Sequence, residues 1–294
     1  MKNLFFFALF MVSTIVSRAG EVDTLDIYAN SMRKIVRTVV VTPWSYSTKS
    51  DPLPVIYLLH GWSGNYASWL ADAPHLVDLA DENNVILVFP DGGYDSWWLD
   101  SPVDSTIRYG TFLAKELPEF IDHAYNTRAE PGGRAICGLS MGGHGALLNG
   151  FRNPHVFGAC GSMCGGVDLR PWRKNDWELK NVLGNPAKFW ENWENNSVVP
   201  IVPTLKNGVQ KIIIDCGIGD FFLEMNRSLH AELLKFGIEH FRRRKPHCSG
   251  TLIWQLNDCW PVLSWAIMDY YGFGKAGYYY TRRVFAPVLA SFKE

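Results

Sequence analysis

A serine framed by two glycines stands in the segment 138–142 (GLSMG). The apolar run before it is typical of a short buried strand, and the small residues after it are typical of a closely packed helix. A lifted serine needs a strained turn, in which larger side chains two positions away would collide with the strand and helix. This pattern predicts that Ser140 is a nucleophile for acyl transfer. A serine that merely occupies a tight turn is the alternative.

A nucleophilic serine needs an acid, a histidine base and donors for the developing oxyanion. Asp220 follows the strand-like run 212–215 in a glycine-containing loop and is the predicted acid. Asp215, at the strand terminus, is the competing candidate, although loop hydrogen bonds are its more ordinary role. For the oxyanion we expect the backbone N–H groups of Met141, directly after the serine, and Trp62, in a loop after an early strand.

Aromatic residues collect near the same predicted edge of the sheet. Tyr94, Trp97 and Trp98 follow a strand-like run and are predicted to bind substrate by stacking on a sugar or phenolic ring, with simple packing as the alternative. Residues 168–203 hold four tryptophans and interrupt the alternation of strands and helices. We expect this segment to be an insertion that either shapes a substrate pocket or buries its own tryptophans.

The elements that must position these residues alternate along the chain. Strand-like apolar runs and segments with helical spacing are separated by short loops, which predicts an α/β protein with a mostly parallel sheet and helices on both faces. The predicted strands are 34–42, 53–59, 84–90, 134–139, 157–163 and 211–216, and the predicted helices include 111–125 and 221–236.

Composition narrows the compartment and the partners. The chain has 294 residues, is 47% hydrophobic and carries a formal net charge of -1, which argues against nucleic-acid binding. Residues 1–19 have a positive start, a short apolar run and a small-residue cleavage site, which together predict a signal peptide and a secreted or periplasmic protein without a membrane span. The six cysteines form no C-x-x-C pair and no zinc spacing, so no metal is predicted.

Four segments together resemble the esterase D-like family, which includes S-formylglutathione hydrolases, feruloyl and acetylxylan esterases and mycolyltransferases. They are 58–61 (LLHG), 91–93 (DGG), 138–143 (GLSMGG) and 215–223 (DCGIGDFFL). The likeness covers about residues 23–238. It implies an α/β-hydrolase fold, ester hydrolysis without a cofactor, and the roles assigned above to Ser140 and Asp220. With the export signal, it favours small or carbohydrate-linked esters of the feruloyl or acetyl type.

The last 57 residues depart from that family. Residues 251–276, beginning TLIWQLNDCWP, are similar to the end of the catalytic barrel of β-mannosidases of glycoside hydrolase family two. No upstream sequence resembles the barrel that supplies the two carboxylates of such an enzyme, so the tail implies no glycosidase activity by itself. We interpret the chain as a chimera with a signal peptide (1–19), an esterase-like domain (20–237) and a β-mannosidase-like fragment (238–294) as an atypical tail.

The base is the least determined residue, because the histidine segment expected from the resemblance is absent. His247 lies nearest the expected position and is the candidate, whereas His240 and His60 are expected to be structural. The leading hypothesis is an exported serine carboxylesterase. The alternative is a catalytically impaired, carbohydrate-binding protein whose base was lost at the join, and a glycosidase fragment is a weaker third. We expect weak or no activity and poor solubility of the chain as given; the sequence leaves the oligomeric state open.

Overall fold

One sheet, with seven strands in the described part of the chain, organises the molecule. The computed structural model describes residues 20–49, 51–172, 174, 176–206, 208–243, 268, 271–274, 278–279 and 281–282. The predicted signal peptide, His247 and most of the predicted tail therefore lie outside the described residues. The strands are β1 (Glu21–Ala29), β2 (Lys34–Thr42), β3 (Val55–Leu59), β4 (Ile86–Pro90), β5 (Arg134–Leu139), β6 (Ala159–Met163) and β7 (Lys211–Asp215).

The sheet has the order β1-β2-β4-β3-β5-β6-β7. The five strands from β4 to β7 in this order are parallel, and β1 and β2 extend the sheet as an antiparallel hairpin. The central strands β3 and β4 are apolar and almost wholly buried, as expected of parallel strands covered on both faces. The mostly parallel α/β sheet predicted from the sequence is confirmed; the strand β1 was not predicted.

Helices cover both faces of this sheet. They are α1 (Ser68–Asp72), α2 (Leu76–Asn83), α3 (Tyr109–Thr111), α4 (Leu117–Ala124), α5 (Met141–Arg152), α6 (Leu179–Leu183), α7 (Trp190–Asn195) and α8 (Leu223–Arg243), with a π-helical segment Phe112–Glu116 joining α3 to α4. The predicted helix 111–125 corresponds to this joined unit. Helix α8 continues seven residues beyond the predicted end at 236, across the predicted boundary at 237–238. None of the described helices is long and apolar enough to cross a bilayer.

The described residues form two apolar clusters, which lie on opposite faces of the sheet. Tyr57 and Leu59 of β3 belong to the larger cluster, whereas Leu58 between them belongs to the smaller one. Because successive side chains of a strand point to opposite faces, one strand serves both layers. Loops that follow parallel strands all leave at the carboxyl edge, so the segments after β3, β4, β5, β6 and β7 are brought together there.

Candidate active site

Ser140 lies in a sharp turn between β5 and α5. Its backbone has φ 57° and ψ −115°, a combination that costs free energy for any residue with a side chain. The turn is held by its neighbours: the Ser140 N–H donates to the Met163 carbonyl (2.9 Å), and the Ser140 carbonyl accepts the His144 N–H (3.1 Å). The side chain is half-buried, so it remains accessible at the carboxyl edge.

The two flanking glycines are required by contacts with backbone. A Cβ on Gly138 would lie 2.3 Å from the Gly142 carbonyl carbon, and a Cβ on Gly142 would lie 2.2 Å from the Leu59 carbonyl oxygen. Both distances are far below van der Waals contact, and backbone atoms cannot swing aside as a flexible side chain can. The structure therefore has no room for a larger residue at either position, as the sequence predicted.

The loop after β3 lies beside Ser140. A Cβ placed on Gly61 would be 3.5 Å from the Ser140 Cβ, so the peptide leading to Trp62 runs beside the serine. Met141 is the first residue of α5, and first-turn N–H groups have no partner within their own helix. Trp62 and Met141 thus flank Ser140 from two elements, as two oxyanion donors would.

His60 fixes this loop rather than offering a free base. The Gly92 N–H donates to His60 Nε2 (2.8 Å), so the proton must be on Nδ1, which donates to the Gly61 carbonyl (2.8 Å). Burial lowers the pKa of His60 below its ordinary value and keeps the ring neutral. With both nitrogens engaged, the ring connects the loops after β3 and β4. This geometry supports the structural role expected from the sequence.

Asp220 and Asp215 differ in setting. Asp220 is half-buried in the loop after β7; its Oδ1 accepts the Phe222 N–H (2.7 Å) and its own N–H donates to the Gly217 carbonyl (3.0 Å). Asp215 is the exposed last residue of β7, and its carbonyl accepts the Cys164 N–H (2.7 Å). Asp220 is therefore the carboxylate that the loop holds in a defined orientation.

Two cysteines adjoin Asp220, a juxtaposition that the sequence spacing did not reveal. One sulfur from each of Cys164 and Cys216 and one carboxylate oxygen of Asp220 all lie within 4.8 Å of one another. Burial raises the pKa of Cys164, and burial together with the neighbouring thiol and carboxylate raises the pKa of Cys216 to about 12. These three groups are also the set, among the described residues, that could in principle ligate a cation.

The three aromatic residues predicted to bind substrate differ in how far they are exposed. Tyr94 is 56% exposed and packs edge-on against Trp62, with ring centroids 4.7 Å apart. Trp97 and Trp98 are only 1% and 0% exposed. The expectation that the rings of Trp97 and Trp98 stack on a substrate is corrected: they pack beneath the site, where Trp98 Nε1 donates to the His60 carbonyl (3.1 Å).

The tryptophan-rich insertion crosses above the edge of the sheet. Trp177 packs against Trp62 at 5.4 Å and lies nearly parallel to Phe221 at 5.7 Å, with an interplanar angle of 10°. Trp62 Nε1 donates to Glu178 Oε2 (2.9 Å). The insertion thereby joins the loop after β3 to the loop that carries Asp220. Trp193, by contrast, is fully buried, as expected if the insertion buries part of its own aromatic surface.

Sequence reasoning missed His144, in the first turn of α5. Its ring is completely buried, with Nε2 2.7 Å from the Asn196 carbonyl and Nδ1 3.2 Å from the Trp97 carbonyl. Burial lowers its pKa to about 4, so the ring is neutral at physiological pH. His144 connects α5 to the insertion. A histidine four residues after Ser140 carries no sequence signal for this role.

A strand–turn–helix elbow at the carboxyl edge of a mostly parallel sheet defines an α/β-hydrolase fold. The model of the Esterase family (Putative esterase) matches residues 29–242, so the chain belongs to this family and is a carboxylic ester hydrolase.

Individual relatives include esterases of known sequence and structure. The chain is 26% identical over 239 residues to an acetyl esterase of Caldicellulosiruptor saccharolyticus, covering 73% of this chain and 86% of that protein. The solved structure of a ferulic acid esterase superposes with a TM-score of 0.62 at 26% identity, covering 74% of this chain and 86% of the other.

A separate similarity concerns a short segment. Beta-mannosidase B of Aspergillus niger is 44% identical over 70 residues, which are 23% of this chain but 8% of that protein. The resemblance to two families recognised in the sequence is thereby confirmed.

Proposed function

We propose that this protein is an exported serine carboxylesterase that hydrolyses small or carbohydrate-linked esters of the feruloyl or acetyl type. The observation that carries the proposal is the backbone of Ser140, held in a strained conformation at the carboxyl edge beside the loop that contains Gly61. Strain of this kind persists only where surrounding structure enforces it, and here it presents a hydroxyl to the loops of the site.

The proposed reaction proceeds through an acyl-enzyme. Ser140 Oγ attacks the ester carbonyl while a histidine accepts its proton, and Asp220 orients that histidine. The N–H groups of Trp62 and Met141 stabilise the oxyanion, the alcohol leaves with the proton from the histidine, and water then releases the acid by the same steps in reverse order. We assign the base to His247, the histidine that lies nearest the position expected from the resemblance.

An aromatic surface beside the serine supports the substrate class. Four rings form a row in which each contacts the next, in the order Tyr94, Trp62, Trp177 and Phe221. The two end members, Tyr94 and Phe221, are 56% and 61% exposed. Such rings offer faces to a sugar or a phenolic acid. Two relatives, an acetyl esterase and a ferulic acid esterase, support this class. The signal-peptide pattern of residues 1–19 supports export.

Labelling with a fluorophosphonate probe, followed by peptide mass mapping, tests the nucleophile. We expect the adduct on Ser140 and its loss in Ser140→Ala. Ser63→Ala is the matched control, because Ser63 is an exposed serine in the neighbouring loop that also has a positive φ (62°). Labelling that persists in Ser140→Ala would refute the proposal. A panel of p-nitrophenyl acetate, methyl ferulate, acetylated xylan and casein tests the substrate class, and cleavage of casein alone would overturn it.

The similarity to a β-mannosidase over 70 residues favours a second candidate. In this case the chain is a fusion joined near residues 237–246. The protein binds carbohydrate esters but hydrolyses them slowly, because it lacks a catalytic base. Comparing His247→Ala with His240→Ala separates the two. A loss of hydrolysis in His247→Ala alone supports the esterase; an equally weak rate in wild type and both variants supports the impaired protein.

A further inference from the structure

Cys164 and Cys216 occupy equivalent positions at the ends of two neighbouring strands. The register of β6 and β7 pairs Met163 with Asp215, and the Cys164 N–H donates to the Asp215 carbonyl (2.7 Å), which continues the pairing by one step. Neighbouring strands lie about 4.8 Å apart, within the range of about 4.4–6.8 Å between Cα atoms that a disulfide spans. The two sulfurs already lie within 4.8 Å of each other. Bonding them requires side-chain rotation rather than movement of the strands.

We propose that Cys164 and Cys216 form a disulfide that joins the carboxyl ends of β6 and β7 and closes the loop that contains the tryptophan-rich insertion. With glutathione disulfide as the oxidant, each cysteine gives up one proton and one electron. A sulfur–sulfur bond forms between them, and the glutathione disulfide is reduced to two molecules of glutathione.

The other described pair of neighbouring cysteines shows why position matters. Cys137 of β5 pairs in register with Gly161, and Cys160 of β6 pairs with Ile136. The two side chains are one step out of register and belong to the two different apolar clusters, so they point to opposite faces of the sheet. Proximity along adjacent strands therefore does not suffice, and Cys137 and Cys160 stay as thiols.

The environment of the pair favours a structural disulfide over a reactive one. Catalytic disulfides are oxidising because their surroundings stabilise a thiolate. Here burial and the Asp220 carboxylate raise the thiol pKa of both cysteines, so thiolate is disfavoured. In the dithiol form the Cys164 thiol interacts with the Asp220 carboxylate. Oxidation removes that donor and leaves the carboxylate free to orient a histidine, a consequence that rests on the proposed function.

Peptide mapping of the full chain tests the disulfide without reference to activity. The protein is equilibrated with glutathione and glutathione disulfide, its free thiols are blocked with iodoacetamide, and it is then digested and analysed by mass spectrometry. We expect a linked pair of peptides containing Cys164 and Cys216, while Cys137 and Cys160 carry the alkyl label. Alkylation of both Cys164 and Cys216, or a bond from either of them to Cys248 or Cys259, overturns the proposal.

Thermal unfolding provides a second readout. Because the bond closes a long loop, reduction should lower the Tm by on the order of 10 °C. The decrease should be absent in Cys164→Ala and in Cys216→Ala, and it should persist in the control Cys137→Ala. If instead one zinc ion per chain protects both cysteines from alkylation until a chelator removes it, the pair is a metal site and the disulfide is refuted. Absence of esterase activity would refute the proposed function and leave these readouts unchanged.

Discussion

The two sides of the proposed site, the nucleophile side around Ser140 and the acid side around Asp220, are built differently. Around Ser140 the chain is packed so closely that a Cβ on Gly142 would lie 2.2 Å from the Leu59 carbonyl oxygen. In the loop that leads to Asp220, a Cβ on Gly217 or Gly219 would meet nothing within 4 Å. One side is enforced by backbone from β3, β5 and β6, and the other is a loop beyond the outermost strand.

The strands below the two sides show the same contrast. Residues of β3 are nearly all buried, whereas those of β7 alternate between half-buried and exposed, and Ile213 is 72% exposed. In the described part of the chain β7 is the edge of the sheet. In the proposed mechanism, Ser140 is thus held by fixed backbone of several strands, whereas the orientation of Asp220 depends on hydrogen bonds within its own loop. An exposed apolar edge strand also favours association with other chains.

The nucleophile gives the largest expected effect. Ser140→Ala should lower kcat by about 10⁶-fold where the triad is complete, because attack and proton transfer are both lost. Ser140→Gly should be equally inactive but unfold at a higher temperature than Ser140→Ala, since glycine adopts φ 57° without strain. Hydrolysis of p-nitrophenyl acetate and thermal unfolding measure the two quantities. Equal Tm values for the two variants would contradict the strain assigned to this turn.

The acid should give the next largest effect. Asp220→Asn should lower kcat by about 10⁴-fold, because the base loses the acceptor that fixes its tautomer. Asp215→Asn is the matched control and should stay within a few-fold of wild type, since its carboxylate is exposed at the strand end. Initial rates at equal thermal stability provide the comparison. The assignment is wrong should Asp215→Asn prove the more damaging change.

Glycine substitutions test the contrast in packing directly. Gly142→Ala should destabilise the fold by about 3 kcal/mol, because its Cβ overlaps fixed backbone. Gly219→Ala should change the free energy of unfolding by less than about 1 kcal/mol, because its Cβ meets open space. Urea denaturation measures both. Similar losses in the two variants would remove the distinction between the two sides.

Low pH should destabilise the fold through His144, which follows Ser140 in α5. The unfolded chain protonates His144 as the pH falls through about 6.5, whereas the folded chain resists until its pKa of about 4. Stability is therefore lost as the pH falls between these values, by up to about 3 kcal/mol from this residue. The lowered pKa of His60 acts in the same direction. Denaturation at pH 7 and pH 4.5 measures the loss, which His144→Gln should reduce; an unchanged pH dependence would contradict it.

The smallest expected effect concerns the hydrogen bond between Trp62 and Glu178, the bridge through which the insertion connects the two sides. Glu178→Gln weakens the hydrogen bond from Trp62 Nε1, a bond worth about 1.5–3 kcal/mol with a charged acceptor, and should raise KM for an aryl ester a few-fold with little change in kcat. Glu191→Gln, an exposed glutamate in α7 of the same insertion, is the control. Steady-state kinetics with methyl ferulate separate KM from kcat. An effect on kcat alone would place Glu178 in the chemistry rather than in the bridge.

The sequence by itself determined the local features. Lys34–Thr42 was predicted with the bounds that the structure gives β2, and the strand before Ser140 and the helix after it were recognisable, because apolar period and glycine spacing are properties of neighbouring residues. The nucleophile, the competing acids and the insertion were all identifiable on the same basis. Even the structural role of His60 followed from its place in the chain.

Only the tertiary structure decided which of these residues meet. The burial of Trp97 and Trp98 under the site, the role of His144 between α5 and the insertion, and the approach of Cys164 to Cys216 depend on contacts between residues 38 to 80 positions apart. No periodicity records such pairings, because they are set by strand order and by how loops pack across the edge of the sheet. The acid side, open to its surroundings, is where sequence patterns determined least.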